Sequence, residues 1–216
     1  MIDAQRWMEL FTRAVQAAFG GRAVCIGLQG SYSRGEAHEG SDLDPVLVLD
    51  DFQPADLHRY RALLDGLPHR DLVCGFAGGR AELEAWDEAD LFQFYHDTTV
   101  YAGSLDWIAP KATAAAARRA AHKAACDIYH MAVHNFLHEK SPDILSGLYK
   151  SAVFALQAKH FCDTGRYCRR RADLAAELTG DDAAVLALGP DAARPERFGD
   201  ATALLLRWAR DLICGL

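Results

Sequence analysis

The sequence predicts an α/β (α+β) protein in two parts, a small domain of alternating strands and helices followed by a helical bundle. Three observations predict it. Short apolar runs bounded by Gly or Asp recur through the first hundred or so residues, amphipathic segments of helical period separate them, and strand signals stop at about Trp107. The chain has 216 residues, 50% hydrophobic and 25% charged, enough for one large or two small domains. The composition shift puts the boundary near Ala109-Pro110, so residues 1–109 and 110–216 are the expected domains.

The elements follow in order. Trp7, Phe11, Val15, Ala18 and Phe19 recur at helical spacing until Gly20-Gly21, which predicts a helix over 3–19. "AVCIGLQG" reads as a buried strand ended by Gly30, and "PVLVLD" as a second strand opened by paired aspartates. "PADLHRYRALLDG" has proline in its first turn and glycine at its end, a helix. "DLVCGFA" predicts a third strand, Gly78-Gly79 a turn, "AELEAWDEADLFQFYH" one helix, and "TTVYAG" a last strand. Helices are then expected over 112–138, 143–163, 170–179, 182–188 and 199–213, with "GPDAARPERFGD" an ordered loop.

The bulk numbers narrow the function. Thirty acidic against 23 basic residues give a net charge of −7, which argues against nucleic acid as a main partner and favours a small or nucleotide-sized substrate. The six cysteines form no C-x-x-C pair and several lie in apolar stretches, as expected of reduced, mostly buried thiols in a cytoplasmic protein. The charged, amphipathic N-terminus reads as neither signal peptide nor membrane span, and no other segment is apolar enough to be one.

The chemistry concentrates in "LQGSYSRGEAHEGSDLDPVLVLD", residues 28–50. On a strand, residues i and i+2 share a face, so Asp42 and Asp44 project together about 7 Å apart while Leu43 turns to the core. Such like charges repel unless a cation lies between them, and Mg²⁺ suits the pair because it takes few protein oxygens and completes its shell with water and phosphate. Alone, a D-x-D is also what a solvated turn looks like. The residues before it point to a ligand: Gly30 lets backbone approach closely, Ser31 offers a hydroxyl and N–H donors, and Arg34 a forked donor suited to phosphate.

"GSYSRGEAHEGSDLD" resembles the signature of the DNA polymerase β-like nucleotidyltransferase superfamily, especially its small stand-alone and antibiotic-modifying members. The resemblance implies an N-terminal mixed sheet with flanking helices and a C-terminal helical bundle. It gives Gly30, Ser31 and Arg34 the triphosphate, and Asp42 and Asp44 the Mg²⁺ that bridges it. Pro45 departs from the pattern, and its missing N–H implies an edge or a local bend in the ladder. The family also has a third acidic residue, which deprotonates the attacking hydroxyl or completes a second metal site. Asp71, opening "DLVCGFA", is the first candidate and Asp97 the second, each also readable as an ordinary strand-start or surface residue; Glu36 is a further substitute ligand.

In the helical half, His130, His134 and His138 follow one another at i, i+4, as a zinc site, a cleft lining or plain surface histidines would. "LYKSAVFALQAKHFCDTGRY" resembles the long helix of aminoglycoside nucleotidyltransferases, which ends in a T-G turn and whose lysine reaches the nucleotide; that implies a phosphate role for Lys150, against a snorkelling one. Arg166, Arg169, Arg170 and Arg171 near the turn read as a solvated face or a triphosphate contact, and Arg118 with His122 loosely resembles a ribonuclease motif. The resemblance as a whole implies an Mg²⁺-dependent transfer of a nucleoside monophosphate from an NTP, ATP first, to a hydroxyl acceptor. The acceptor reads as a small, aminoglycoside-like molecule or a partner protein, a homodimer is compatible with both, and a catalytically silent nucleotide-binding module is the rival.

Overall fold

The computed structural model describes residues 2–192 and 194–216. It forms two compact units: residues up to Asp87 together with Phe94–Lys111, and Glu88–Gln93 together with Ala112–Leu216.

The first unit is built on a four-stranded sheet. Helix α1 (Ala4–Phe19) starts where the Asp3 side chain accepts from Arg6 N–H, and buries Trp7, Met8, Phe11, Val15 and Phe19. Strand β1 (Ala23–Gln29) runs into the five-residue helix α2 (Gly30–Arg34), and β2 (Asp44–Leu49) leads to α3 (Pro54–Asp65). Then come β3 (Phe76–Gly79), α4 (Arg80–Glu84), α5 (Glu88–Asp97), which the two units share, and β4 (Thr99–Gly103). The strand order is β3-β2-β1-β4, with β1 antiparallel to both neighbours and β2 parallel to β3, so the sheet is mixed. Trp7 and Phe11 of α1, stacked at 5.3 Å, and Tyr60 of α3 pack with Ile26, Leu28, Leu47 and Leu49 from the sheet.

In the second unit the principal helices are α6 (Ala114–His134), α7 (Pro142–Thr164) and α10 (Phe198–Gly215), with α8 (Arg171–Ala175) and α9 (Gly180–Leu188) between. Their core includes Ile128, Leu145, Tyr149, Leu156, Leu205 and Trp208. Past α6 the chain makes a π turn, Asn135–Glu139, where the buried Asn135 amide donates to Ser141 O and accepts from Ser141 N, and Ser141 Oγ caps α7. The α5 residue Phe92 packs on Phe161 and Tyr167, which explains why the first half of α5 groups with this unit.

Four expectations needed correcting. The third strand is shorter than "DLVCGFA": Leu43 and Val73 make an isolated parallel bridge, and the ladder resumes only at Val46 and Phe76. Pro45, which has no N–H to give, falls opposite Gly75 in that gap, where a Cβ at Gly75 would stand 2.0 Å from the Pro45 carbonyl oxygen. The pairing of β2 with β3 is interrupted at Pro45, and β2 is an interior strand, not the edge that was one of the two expectations. Gly78 and Gly79 belong to β3 instead of a turn, and the single helix expected after them is two, because Trp86 leaves the helical path to pack edge-on against Phe76 and Phe94. All six cysteines are free, but only Cys25 and Cys168 are buried. The stretch after α9 holds short 3₁₀ turns at Gly189–Asp191 and Pro195–Arg197, and Ala193 lies outside the described residues. Among the described residues no helix is long and apolar enough to cross a membrane.

Candidate functional site

The sheet brings the two halves of the motif to one end. β1 finishes at Gln29, β2 starts at Asp44, and these two residues are partners in the antiparallel register, so the Gly30-Ser31 turn and the aspartates emerge side by side. Leu43 is fully buried, with its N–H donating to Leu72 O at 2.7 Å and its carbonyl accepting from Cys74 N at 2.8 Å. That anchor fixes the alternation: Asp42 faces solvent and Asp44 is half-buried. Gly30 has φ +70°, and a Cβ on it would stand 1.9 Å from Asp44 Oδ2, so the carboxyl occupies the space that any other residue would fill.

Burial and the neighbouring Asp42 charge push the Asp44 carboxyl up to about 6, and Arg34 only partly offsets them. A half-buried carboxyl whose charge is penalised by burial and by its neighbour forms with that neighbour a donor set that a divalent cation would relieve, and two aspartates with open coordination positions are what Mg²⁺ with a phosphate ligand takes. The residues present therefore fit the implied metal. Arg34, at the C-terminal end of α2 just before the left-handed Gly35, places Nε 2.9 Å from Glu36 Oε2 and Nη1 3.8 Å from Asp97 Oδ2. Asp97 is buried, with 5% of its surface exposed. Ser31 is half-buried, and its carbonyl accepts from Glu36 N–H at 2.8 Å.

The structure thus brings together Gly30, Ser31, Arg34, Asp42 and Asp44, with Asp97 and Glu36 beside the arginine. Asp71 is exposed on a 3₁₀ turn, Arg70–Leu72, before the bridge at Val73. Among the described residues no group of three or more His, Cys, Asp or Glu could hold a metal, so Asp71 does not stand with the pair as a third ligand. The same holds for a zinc site on the histidine row: His134 and His138 have ring centroids 4.9 Å apart, and His134 pairs with Glu139 at 3.4 Å. Lys150 is exposed on α7 of the second unit. Arg166 pairs with Glu177, Arg171 donates to Leu186 O, and Arg118 donates to Leu216 O at 3.0 Å, ordinary structural uses for these cations.

Sequence reasoning missed a set of polar contacts behind the turn. Gln29 Nε2 donates to Thr98 Oγ1 at 2.8 Å, and Ser33 Oγ and Thr99 Oγ1 are 2.7 Å apart. The run Asp97-Thr98-Thr99 before an apolar strand was the available signal, because three polar residues at a strand start need partners.

Residues 11–87 match a family model described as a nucleotidyltransferase domain. No curated protein matches the sequence significantly. Among solved structures the chain is similar to a crystal structure of spectinomycin adenyltransferase AAD(9) from Enterococcus faecialis with ATP and spectinomycin. The identity is 12% and the TM-score 0.59, over 97% of this chain and 98% of that one. At that identity the likeness is one of fold, and the mixed sheet with its following helices is common to both. The matched segment contains the turn, the arginine and both aspartates, so the family likeness falls on the residues that form this site.

Proposed function

We propose that this chain moves a nucleoside monophosphate from an NTP, ATP first, to a hydroxyl of a small molecule and releases pyrophosphate. The observation that carries the reading is the apposition of the Asp42/Asp44 pair to the Gly30-Ser31 turn, with the Asp44 carboxyl lying over Gly30 and Arg34 in its field. In this reading Asp42 and Asp44 hold Mg²⁺, which when bound supplies charge neutralisation on the phosphates. Ser31, the backbone at Gly30 and the Arg34 guanidinium orient the triphosphate, so that catalysis is mainly positioning and electrostatic stabilisation. On the resemblance alone, Lys150 is assigned to the phosphates; the acceptor-proton role that the resemblance implies for Asp71 is not carried over, because Asp71 is exposed on the Arg70–Leu72 turn before β3. An aminoglycoside-like acceptor is favoured by the net charge of −7, which attracts a cationic substrate, and by the spectinomycin in the similar structure.

The test is titration with a non-hydrolysable ATP analogue, with and without Mg²⁺, for wild type and Asp44→Asn. Metal-dependent binding lost in the variant is expected; equal affinity in both proteins would sink the metal role. Pyrophosphate release with spectinomycin and related aminocyclitols then tests the acceptor. A second reading, a nucleotide-binding module without transfer, draws on the exposed place of Asp71 outside the carboxylate group. It predicts binding without pyrophosphate release for every acceptor class.

A further inference from the structure

The polar corner where α5 meets β4 contacts the phosphate turn through three consecutive residues. Asp97 faces the Arg34 guanidinium at 3.8 Å, Thr98 accepts from Gln29 at 2.8 Å, and Thr99 bonds Ser33 at 2.7 Å. The packing is close: a Cβ at Gly27 would stand 2.6 Å from Thr98 Cγ2 and 3.0 Å from Thr99 O. Thr98 Oγ1 also donates to Phe94 O at 2.6 Å, which fixes the corner to the end of α5.

The two carboxylates on Arg34 differ in kind. Asp97 has a side-chain exposure of 7% and comes from a different element, so its charge is held in place beside the guanidinium. Glu36, with 27% side-chain exposure, lies two residues from Arg34 and reaches it from the loop after α2. Water can solvate Glu36 if it swings away, whereas burial keeps Asp97 where it is. An arriving phosphate competes for the same planar donor.

We propose that Asp97 is a positioning residue that holds Arg34 ready for the nucleotide phosphates, and that Glu36 is the exposed stand-in that a phosphate displaces. The inference rests on the nucleotide-binding reading above and assigns Asp97 a role other than that of a third metal ligand. Because one carboxylate prepares the arginine and the other competes with the ligand, their removal has opposite effects.

The experiment is calorimetric titration of the intact chain with a non-hydrolysable ATP analogue and Mg²⁺. The proteins are wild type, Asp97→Asn, Glu36→Gln, and each of these in an Arg34→Ala background. Asp97→Asn is expected to weaken binding about tenfold, the scale of one close charge pair of low exposure. Glu36→Gln is expected to tighten it by roughly threefold, and in the Arg34→Ala background both effects shrink below about twofold. Unchanged affinity in Asp97→Asn, weaker binding in Glu36→Gln, or effects that persist without Arg34 would overturn the assignment. Should Asp97→Asn fail to fold, the sign of the Glu36→Gln effect and its dependence on Arg34 decide alone. A wild type that binds no nucleotide overturns the functional reading itself, an outcome distinct from normal wild-type binding with inert variants.

Discussion

The Asp44 carboxyl lies across the Cα of Gly30, so close that a Cβ there would stand 1.9 Å from Asp44 Oδ2. The turn and the strand that carries the aspartates are therefore one unit: moving either moves the other. Gly30→Ala should displace Asp44 as well as strain a backbone at φ +70°. Gly35 is the control, because it has the same φ of +70° with open space around its Cβ direction. Both alanine variants should lose stability by about 1–2 kcal/mol from backbone strain. Only Gly30→Ala should also lose Mg²⁺-dependent nucleotide binding, by an expected tenfold or more on the scale of a displaced charged ligand. Melting curves and analogue titration, run side by side, separate the two; equal binding in both variants would refute the coupling.

The same apposition costs the metal-free protein stability. The Asp44 carboxyl is pushed up to about 6, mainly by burial and then by Asp42, so the folded chain holds that proton more tightly than the unfolded one. Stability from this group is therefore greatest below the ordinary carboxylate range and falls as pH rises through about 6. Asp44→Asn should melt higher than wild type at pH 8 in chelator, by about 2–4 °C for each kcal/mol relieved in a chain of this size. At pH 4 the gap should close. A lower melting temperature for the variant at pH 8 would show that the charge is not penalised.

The opposite sign is expected at Asp56. Arg22 grips its two oxygens at 3.0 and 2.6 Å, and Gln53 N–H donates to it at 2.9 Å. The hydrogen bonds from Arg22 first, and from the Gln53 backbone second, hold the carboxyl below the usual carboxylate range. This contribution is complete above the unfolded pKa of about 3.9 and is lost as pH falls through the lower folded value. Asp56→Asn should thus melt below wild type at pH 7, and the difference should narrow towards pH 2–3. Far-ultraviolet melts across that range check it; a gap that widened on acidification would reverse the assignment.

Much of this was legible in the chain because it is local. The Gly30–Arg34 turn, the D-x-D parity and the helix ends at Asp3 and Gly165 all follow from residues within a few positions of one another. What sequence did not yield depends on partners far away in the chain. Whether "DLVCGFA" could pair along its length depended on Pro45 meeting Gly75, and whether "AELEAWDEADLFQFYH" ran as one helix depended on where Trp86 found Phe76 and Phe94. Asp97 is the instructive case. Its sequence context could not separate a strand-start aspartate from a site residue, and the distinction comes only from the arginine that faces it, 63 positions earlier by subtraction of the two residue numbers.

Register also bears on Asp71. The bridge Leu43–Val73 and the pair Val46–Phe76 share one parallel offset, so Cys74 falls opposite Asp44, while Asp71 lies on the exposed Arg70–Leu72 turn, before the pairing starts. Leu43 belongs to the core, which is the face away from Asp42 and Asp44. A carboxylate that must reach an acceptor hydroxyl at the aspartate pair would belong at position 74, where the chain has an exposed thiol. Asp71→Asn should therefore leave kcat/KM within about twofold of wild type, as surface substitutions do. Cys74→Asp should tighten Mg²⁺ binding by adding an oxygen ligand beside the pair. Pyrophosphate release measures the first and metal titration the second. A loss of a hundredfold or more in Asp71→Asn would mean that the turn before β3 moves to bring Asp71 into the site during the reaction.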